Sequence, residues 1–380
     1  MSNNKGPRYS AFTDCRATTT SSATSNQGAT IMKTAIFKGK GNIAIEDRPK
    51  PTISEPTDAI VRVVLACVCG SDLWFYRGIS DLPHGGVGHE FIGVVDEIGS
   101  DVTDVATGDF VIAPFSFSDG TCKNCEAGFQ TACVHGGFFG QGGDGDGGQA
   151  EFVRVPQANG TLLKVPGTDF SEETMASLLA LTDVMATGYH AAVSAEVNAG
   201  DTVAVVGDGA VGLSGVLSAK MLGAERTIVL GSKTESRHAL ARQWGATDII
   251  TDRGDAAVKQ LQDLTDGYGA DAVLECVGTK DSTATAFAIA KAGAIVGRVG
   301  VPHDAEVDAA GTFYRNVGMR GGPAPARHYQ PELLKAVLNG EINPGKVFDQ
   351  SFDLDNIAEA YAAMDERRVI KSLVKVSVLA

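Results

Sequence analysis

Residues 202–212 read TVAVVGDGAVG. A β-branched run gives way to glycines at 207, 209 and 212, and an apolar helical pattern follows. The glycines have G-x-G-x-x-G spacing in the strand–turn–helix frame that makes this motif meaningful. Gly207 allows a tight turn. Gly209 lets the backbone approach a pyrophosphate. Gly212, one residue after the apolar Val211, lets the helix pack on the strand, and the helix N-terminus attracts the anion. Dinucleotide binding is the expectation; the bland alternative is a glycine turn with no ligand.

The surrounding sequence continues the pattern. TIVLG (227–231) precedes ESRHALARQWG, and TDIIT precedes a helical stretch near 255–264. DAVLECVG precedes a helix near 281–290, and AIVGRVG follows it. Strands alternating with helices predict parallel βαβ units, so residues 181–319 are expected to form a doubly wound Rossmann domain, α/β in class. Residues 32–180 differ: short apolar runs such as AIVRVVLACVCG, FIGVVDEIG and AEFVRVP are broken by Gly, Pro and Asp, which predicts a β-rich domain. A Ser start with acids in the first turn marks a helix at SEETMASLLALTDVMATGYHAAVSAEV. Past 320 a helix, a strand, a helix and a last strand are expected.

Composition narrows the partners. The chain has 380 residues and a net charge of −14, the reverse of the basic surface that nucleic acid calls for. No run of about 18 apolar residues occurs, so no membrane-spanning helix is expected. Residues 1–31 are rich in Ser, Thr and Asn, without the apolar core of a secretory signal, and read as a disordered extension, the alternative being a transit peptide. Seven cysteines, an odd number clustered among glycines, make a poor disulfide framework and favour thiolates that hold metal in a reducing compartment, hence a cytoplasmic protein.

The end of the second strand of the doubly wound run bears on cofactor choice. An acid there would hold a ribose 2′-hydroxyl. In TIVLGSKTESR that position is Gly231, so a 2′-phosphate is expected to meet no negative charge. Ser232 can donate a hydrogen bond to it, and Lys233 and Arg237 can supply charge-assisted ones. This points to NADP(H) over NAD(H), the alternative being that both cations are solvated residues at a helix start.

Two groups of metal-ligand residues stand in the first 190 residues. SDGTCKNCEAGFQTAC (118–133) carries Cys122, Cys125 and Cys133 at zinc-loop spacing, one ligand short of a tetrahedral site. Upstream, Cys69 lies in CVCGSDLWFYRG and His89 in GHEFIGVV, with Glu90 beside it. Taken alone, that Cys and His fit a buried structural pair equally well.

Taken in order, CGSD (69–72), GHE (88–90), the cysteine loop (119–133), TDVMATGYH (182–190), GDGAVG (207–212) and MDERRVIK (364–371) are similar to the motifs of zinc-dependent medium-chain alcohol dehydrogenases. The resemblance covers nearly all of 32–380. It implies a β-rich, GroES-like catalytic domain at 32–180, completed by 320–380, with the Rossmann domain between. It also implies that Cys69, His89 and Asp183 hold a catalytic zinc, with Glu90 a neighbouring or transient ligand. Such a zinc, with one open position, would act as a Lewis acid toward a substrate oxygen. Ser71 matches the hydroxyl that passes the alcohol's proton, Thr187 a nicotinamide-side contact, and Lys371 a basic residue near the pyrophosphate. In the family the cysteine loop is C-x2-C-x2-C-x7-C. The first position here is Asp119, which makes a structural zinc site of one carboxylate and three thiolates; the alternative is a degraded loop in which Asp119 caps a turn.

Two zinc ions and NADP(H) are therefore the expected cofactors, a small alcohol, aldehyde or ketone the expected substrate, and a dimer or tetramer the expected assembly. One departure concerns the proton path. Where many relatives have a relay histidine, this chain has Trp74, which cannot accept a proton. His84 and His135 read as surface loop residues, and GGFFGQGGDGDGGQ (136–149) as a flexible loop. Two other functions stay open. A zinc-free quinone or enoyl reductase would not need Cys69, His89, Asp183 or the cysteine loop. A cofactor-sensing protein would bind NADPH without turnover.

Overall fold

Thr202–Val206 lies inside a six-stranded sheet, and its alternation explains why. Val203 and Val205 enter a core with Ala191, Leu213 and Val216. Ala204 and Val206 enter another with Leu261 and Ala286. A strand whose two faces are both covered by helices must be apolar throughout, and this one is. The sheet order is Asp248–Ile250, Arg226–Leu230, Thr202–Val206, Ala270–Glu275, Ala290–Arg298 and Gly318–Gly321. Every pairing in it is parallel. The order reverses beside Thr202–Val206, and ligands of doubly wound sheets bind at such a reversal. The structure is a computed structural model that describes residues 30–142 and 147–379. The expected disordered extension therefore lies, apart from residues 30 and 31, outside the described residues, as do residues 143–146 of the glycine-rich loop.

The β-rich part is built on a seven-stranded sheet in which Ala59–Cys67 is central. That strand pairs antiparallel with Phe91–Ile98 on one side and Lys371–Lys375 on the other. Leu373 stands opposite Cys67, so the C-terminal strand returns to the N-terminal part of the chain as expected. A three-stranded sheet joins Asn42–Pro49, Ile31–Gly39 and Gly85–Gly86. Residues Ile31–Ala380 form one compact unit. Among the described residues no helix is long and apolar enough to cross a membrane.

The helical stretch after 170 is two helices. Ser171 caps Glu172–Ala180, its hydroxyl accepting from Thr174 N at 3.1 Å. The chain then turns, and Val184–Ser194 begins at Asp183, whose backbone is non-helical at φ −149° and ψ −75°. The second helix is buried on nearly every side, which fits its lack of a polar face. A methyl group on Gly188 would stand 2.6 Å from Gly215 N. The helix that starts at Asp183 therefore packs tightly on Ala210–Met221, the helix that the glycine turn opens.

His190 lies in this buried helix, its Nδ1 2.9 Å from the Tyr329 hydroxyl. Burial pushes its pKa down to about 4. A histidine buried neutral resists protonation that the unfolded chain accepts below about pH 6.5. Stability is expected to fall as pH drops from about 6.5 to 4, by on the order of 3 kcal/mol from this residue. Denaturant unfolding of the wild type and of His190→Gln at pH 7 and pH 4.5 checks this: the variant should lose less stability between the two.

Candidate active site and metal centres

The turn after Ala59–Cys67 carries Cys69, the segment before Phe91–Ile98 carries His89 and Glu90, and the helix break carries Asp183. The fold brings these four together, each offering a ligand atom within 4.8 Å of the others. Cys69 Sγ is 3.5 Å and His89 Nε2 3.4 Å from Asp183 Oδ2. A thiol, an imidazole and a carboxylate converging in a largely buried pocket suit zinc by donor type. Glu90 Oε2 is buried without a hydrogen-bond partner among the described residues, as a group kept for a ligand would be.

Neighbours hold this set in place. Asp72 is buried; its Oδ2 accepts from Cys69 N at 3.0 Å, and its Oδ1 is 3.3 Å from His89 Nδ1. A carboxylate at Nδ1 fixes the ring proton there and leaves the Nε2 lone pair for a metal. Asp72 lies within CGSD, but its role in holding the ligands is not apparent from that motif. The signal was an acid three residues after a candidate thiol ligand. Burial pulls the His89 pKa down, but Asp72, Cys69 and Asp183 outweigh it and hold it well above the ordinary value. Burial raises the Cys69 thiol, helped by Glu90 and Asp183. Burial also pushes up on Asp183, but hydrogen bonds and charge from His89, with a hydrogen bond from Thr187, bring its pKa below the usual carboxylate value.

Lys371 and Thr187 have partners in the cluster itself. Lys371, expected beside a pyrophosphate, is buried with its Nζ 2.6 Å from Glu90 Oε1 and 3.0 Å from the Val68 carbonyl. Its place in Lys371–Lys375, paired with Ala59–Cys67, turns it toward the metal cluster. Thr187, expected at the nicotinamide, donates its hydroxyl to Asp183 Oδ1 at 2.6 Å. It sits one helical turn after Asp183, so it orients that carboxylate. Ser71 begins the short helix Asp72–Tyr76, and its side chain makes no capping hydrogen bond. Trp74 stacks on His303 with ring centroids 3.4 Å apart.

The cysteine loop folds into a second cluster of Asp119, Cys122, Cys125 and Cys133. Cys122 Sγ is 3.5 Å from Cys125 Sγ and 3.8 Å from Cys133 Sγ. Thiolates at tetrahedral corners about 2.3 Å from zinc lie about 3.8 Å apart, so the loop fits the ion. Asp119 Oδ1 accepts from Thr121 N and Cys122 N, at 2.8 and 3.0 Å. Its Oδ2 is 2.6 Å from His135 Nδ1. His135 is exposed, as expected, but it is also a partner of the cluster and not merely a loop residue. Backbone N–H groups around Cys122 lower its pKa to about 7, which favours the thiolate a metal needs.

At the dinucleotide turn Gly207 adopts φ +110°, and a methyl on Gly212 would lie 2.1 Å from Gly207 O. Space beside Gly209 is open. This cradle fits a pyrophosphate, with Val211 half-buried in the first turn of the helix. The expectation of a region free of negative charge at Gly231 is corrected by Asp208. Its carboxylate fills that hollow, and Oδ2 accepts from Ser232 N at 2.6 Å and from Ser232 Oγ at 2.5 Å. Arg237 donates to the Asp208 carbonyl at 3.0 Å, while Lys233 is exposed.

A glycine-turn cradle and a thiol–imidazole–carboxylate cluster on this fold define a zinc-type dehydrogenase. Residues 55–167 match the alcohol dehydrogenase GroES-like domain, and 210–339 match the zinc-binding dehydrogenase domain. The chain is 34% identical over 355 residues to zinc-type alcohol dehydrogenase B of Aspergillus flavus, covering 90% of this chain and 81% of that one. It is similar to alcohol dehydrogenase TADH from Thermus sp. ATN1, with TM-score 0.84, 31% identity, and 91% and 100% of the two chains covered. The alcohol dehydrogenase of Aeropyrum pernix gives TM-score 0.79 and 27% identity, over 90% and 99%. The chain belongs to the zinc-dependent medium-chain alcohol dehydrogenase family.

Proposed function

We propose that this protein reversibly transfers hydride between a nicotinamide dinucleotide and an alcohol or its aldehyde or ketone. The observation that carries the reading is the convergence of Cys69, His89 and Asp183, with Asp183 heading the helix that packs on the dinucleotide-turn helix. Zinc held by Cys69, His89 and Asp183 would supply Lewis acidity to a substrate oxygen. The chain's residues do the rest. Asp72 and Thr187 fix the ligands His89 and Asp183. Ser71, whose side chain makes no capping hydrogen bond, would accept or return the hydroxyl proton. Trp74, stacked on His303, cannot itself accept that proton, so a cofactor hydroxyl, water or another residue would carry it onward.

The cysteine loop with Asp119 would hold a second, structural zinc, supported by the sulfur spacing. Ser232, Lys233 and Arg237 are of residue types suited to a 2′-phosphate, which favours NADP(H), but Asp208 holds both Ser232 donors and stands against that choice. Cysteine usage supports a reducing, cytoplasmic setting, and the family supports a dimer or tetramer. The test is steady-state oxidation of a panel of primary and secondary alcohols, and reduction of the matching carbonyls, with each cofactor. Chelator-sensitive turnover, lost in Cys69→Ser while dinucleotide binding persists, is the expected result. Turnover intact in Cys69→Ser, or unaffected by removing zinc, would move the protein to the zinc-free reductases. Cofactor binding without turnover of any substrate would favour the sensor.

A further inference from the structure

We propose that Asp208 is the specificity-determining residue for the cofactor: its carboxylate occupies the hollow at Gly231 and competes with a ribose 2′-phosphate for Ser232 and Arg237. The inference rests on the dinucleotide reading and goes beyond it. Asp208 is the residue between the first two glycines of the turn, and it is only 9% exposed. A methyl on Gly231 would meet Asp208 Oδ2 at 2.9 Å and Asp208 Cβ at 3.0 Å. Position 231 and the Asp208 carboxylate therefore claim the same space. The acid absent from the strand end has been replaced by one reaching in from the turn.

The consequence is electrostatic. The backbone N–H and hydroxyl of Ser232, the donors a 2′-phosphate would use, are both spent on Asp208 Oδ2. The Arg237 guanidinium donates to the Asp208 carbonyl and, at 3.3 Å, to the Val369 carbonyl, and stands 3.8 Å from Asp208 Oδ1. A phosphate entering here meets like charge beside donors that are already engaged, which disfavours it. A 2′-hydroxyl meets an acceptor instead, because among the described residues Oδ1 has the Arg237 guanidinium at 3.8 Å and accepts no hydrogen bond. Lys233 alone is exposed and uncommitted to Asp208, and it cannot cancel a buried carboxylate from solvent.

The test uses the full chain and its own tryptophans. NADH and NADPH are titrated against the wild type, Asp208→Ser and Asp208→Asn, following tryptophan quenching, with no substrate present. The Asn variant keeps the shape and removes the charge. The expected result is a Kd for NADPH at least tenfold lower in Asp208→Ser, with that for NADH unchanged or raised, and a shift in the same direction in Asp208→Asn. An unchanged ratio would overturn the proposal. So would parallel weakening of both cofactors, which would make Asp208 only a shaper of the turn. A wild-type chain that binds neither cofactor would overturn the dinucleotide reading itself, a distinct result.

Discussion

Asp183→Asn is expected to lower kcat/KM by about a thousandfold or more and to remove one zinc per chain. Lewis-acid activation by a metal is worth several kcal/mol, and each 1.36 kcal/mol is a factor of ten in rate. The carboxamide keeps the volume and can still accept from Thr187, but it is neutral and a poor ligand for zinc. It also weakens the hydrogen bond with Asp183 that helps hold the His89 pKa high. Dinucleotide binding should persist, because Asp183 touches neither the glycine turn nor Ser232 and Arg237 among its hydrogen bonds. Metal analysis and cofactor titration of the purified variant separate the two effects. Full zinc content with wild-type turnover would remove Asp183 from the metal site.

Lys371→Met is expected to destabilise the fold by about 3–5 kcal/mol, the usual cost of breaking a buried ion pair from one side. Lys371 and Glu90 side chains are 1% and 0% exposed, so water screens neither. Removing the ammonium leaves a buried carboxylate with a raised pKa, since burial already pushes Glu90 up against the pull of Lys371. The double variant Lys371→Met with Glu90→Gln should regain much of the loss, because the uncompensated charge is gone. Denaturant midpoints of the two single variants and the double variant form the cycle. A Lys371→Met protein within about 1 kcal/mol of the wild type would mean that the pair contributes little to the fold.

The features that sequence made legible are local. Gly207, Gly209 and Gly212 are read from spacing in one turn, and the doubly wound sheet from successive periodicities. Asp119, Cys122, Cys125 and Cys133 lie within one loop. The ligands Cys69, His89 and Asp183 are spread over three segments, and only resemblance to a family joined them. Some of the residues missed or misplaced have partners far along the chain, while Thr187 and Asp72 have near ones whose geometry only the fold fixes. Glu90 and Lys371 are 281 residues apart, and Asp208 and Ser232 are 24 apart. An empty position at Gly231 looks like a lost acid in sequence; only the fold brings Asp208 into the gap. Asp72 lies within the CGSD motif and His135 two residues past the cysteine loop, but their roles depend on which atoms of His89 and Asp119 face them. The break at Asp183 was hidden because apolar helical periodicity runs through both flanking helices.

One metal at Cys69, His89 and Asp183 is expected to drive turnover, while a second at Asp119 and the three cysteines only supports the fold. Zinc per folded chain, counted before and after mild chelation alongside alcohol oxidation, tests it most directly. Two zinc ions, one of them lost together with activity while the chain stays folded, is the result predicted. Undiminished oxidation by a chain stripped of all zinc would contradict it.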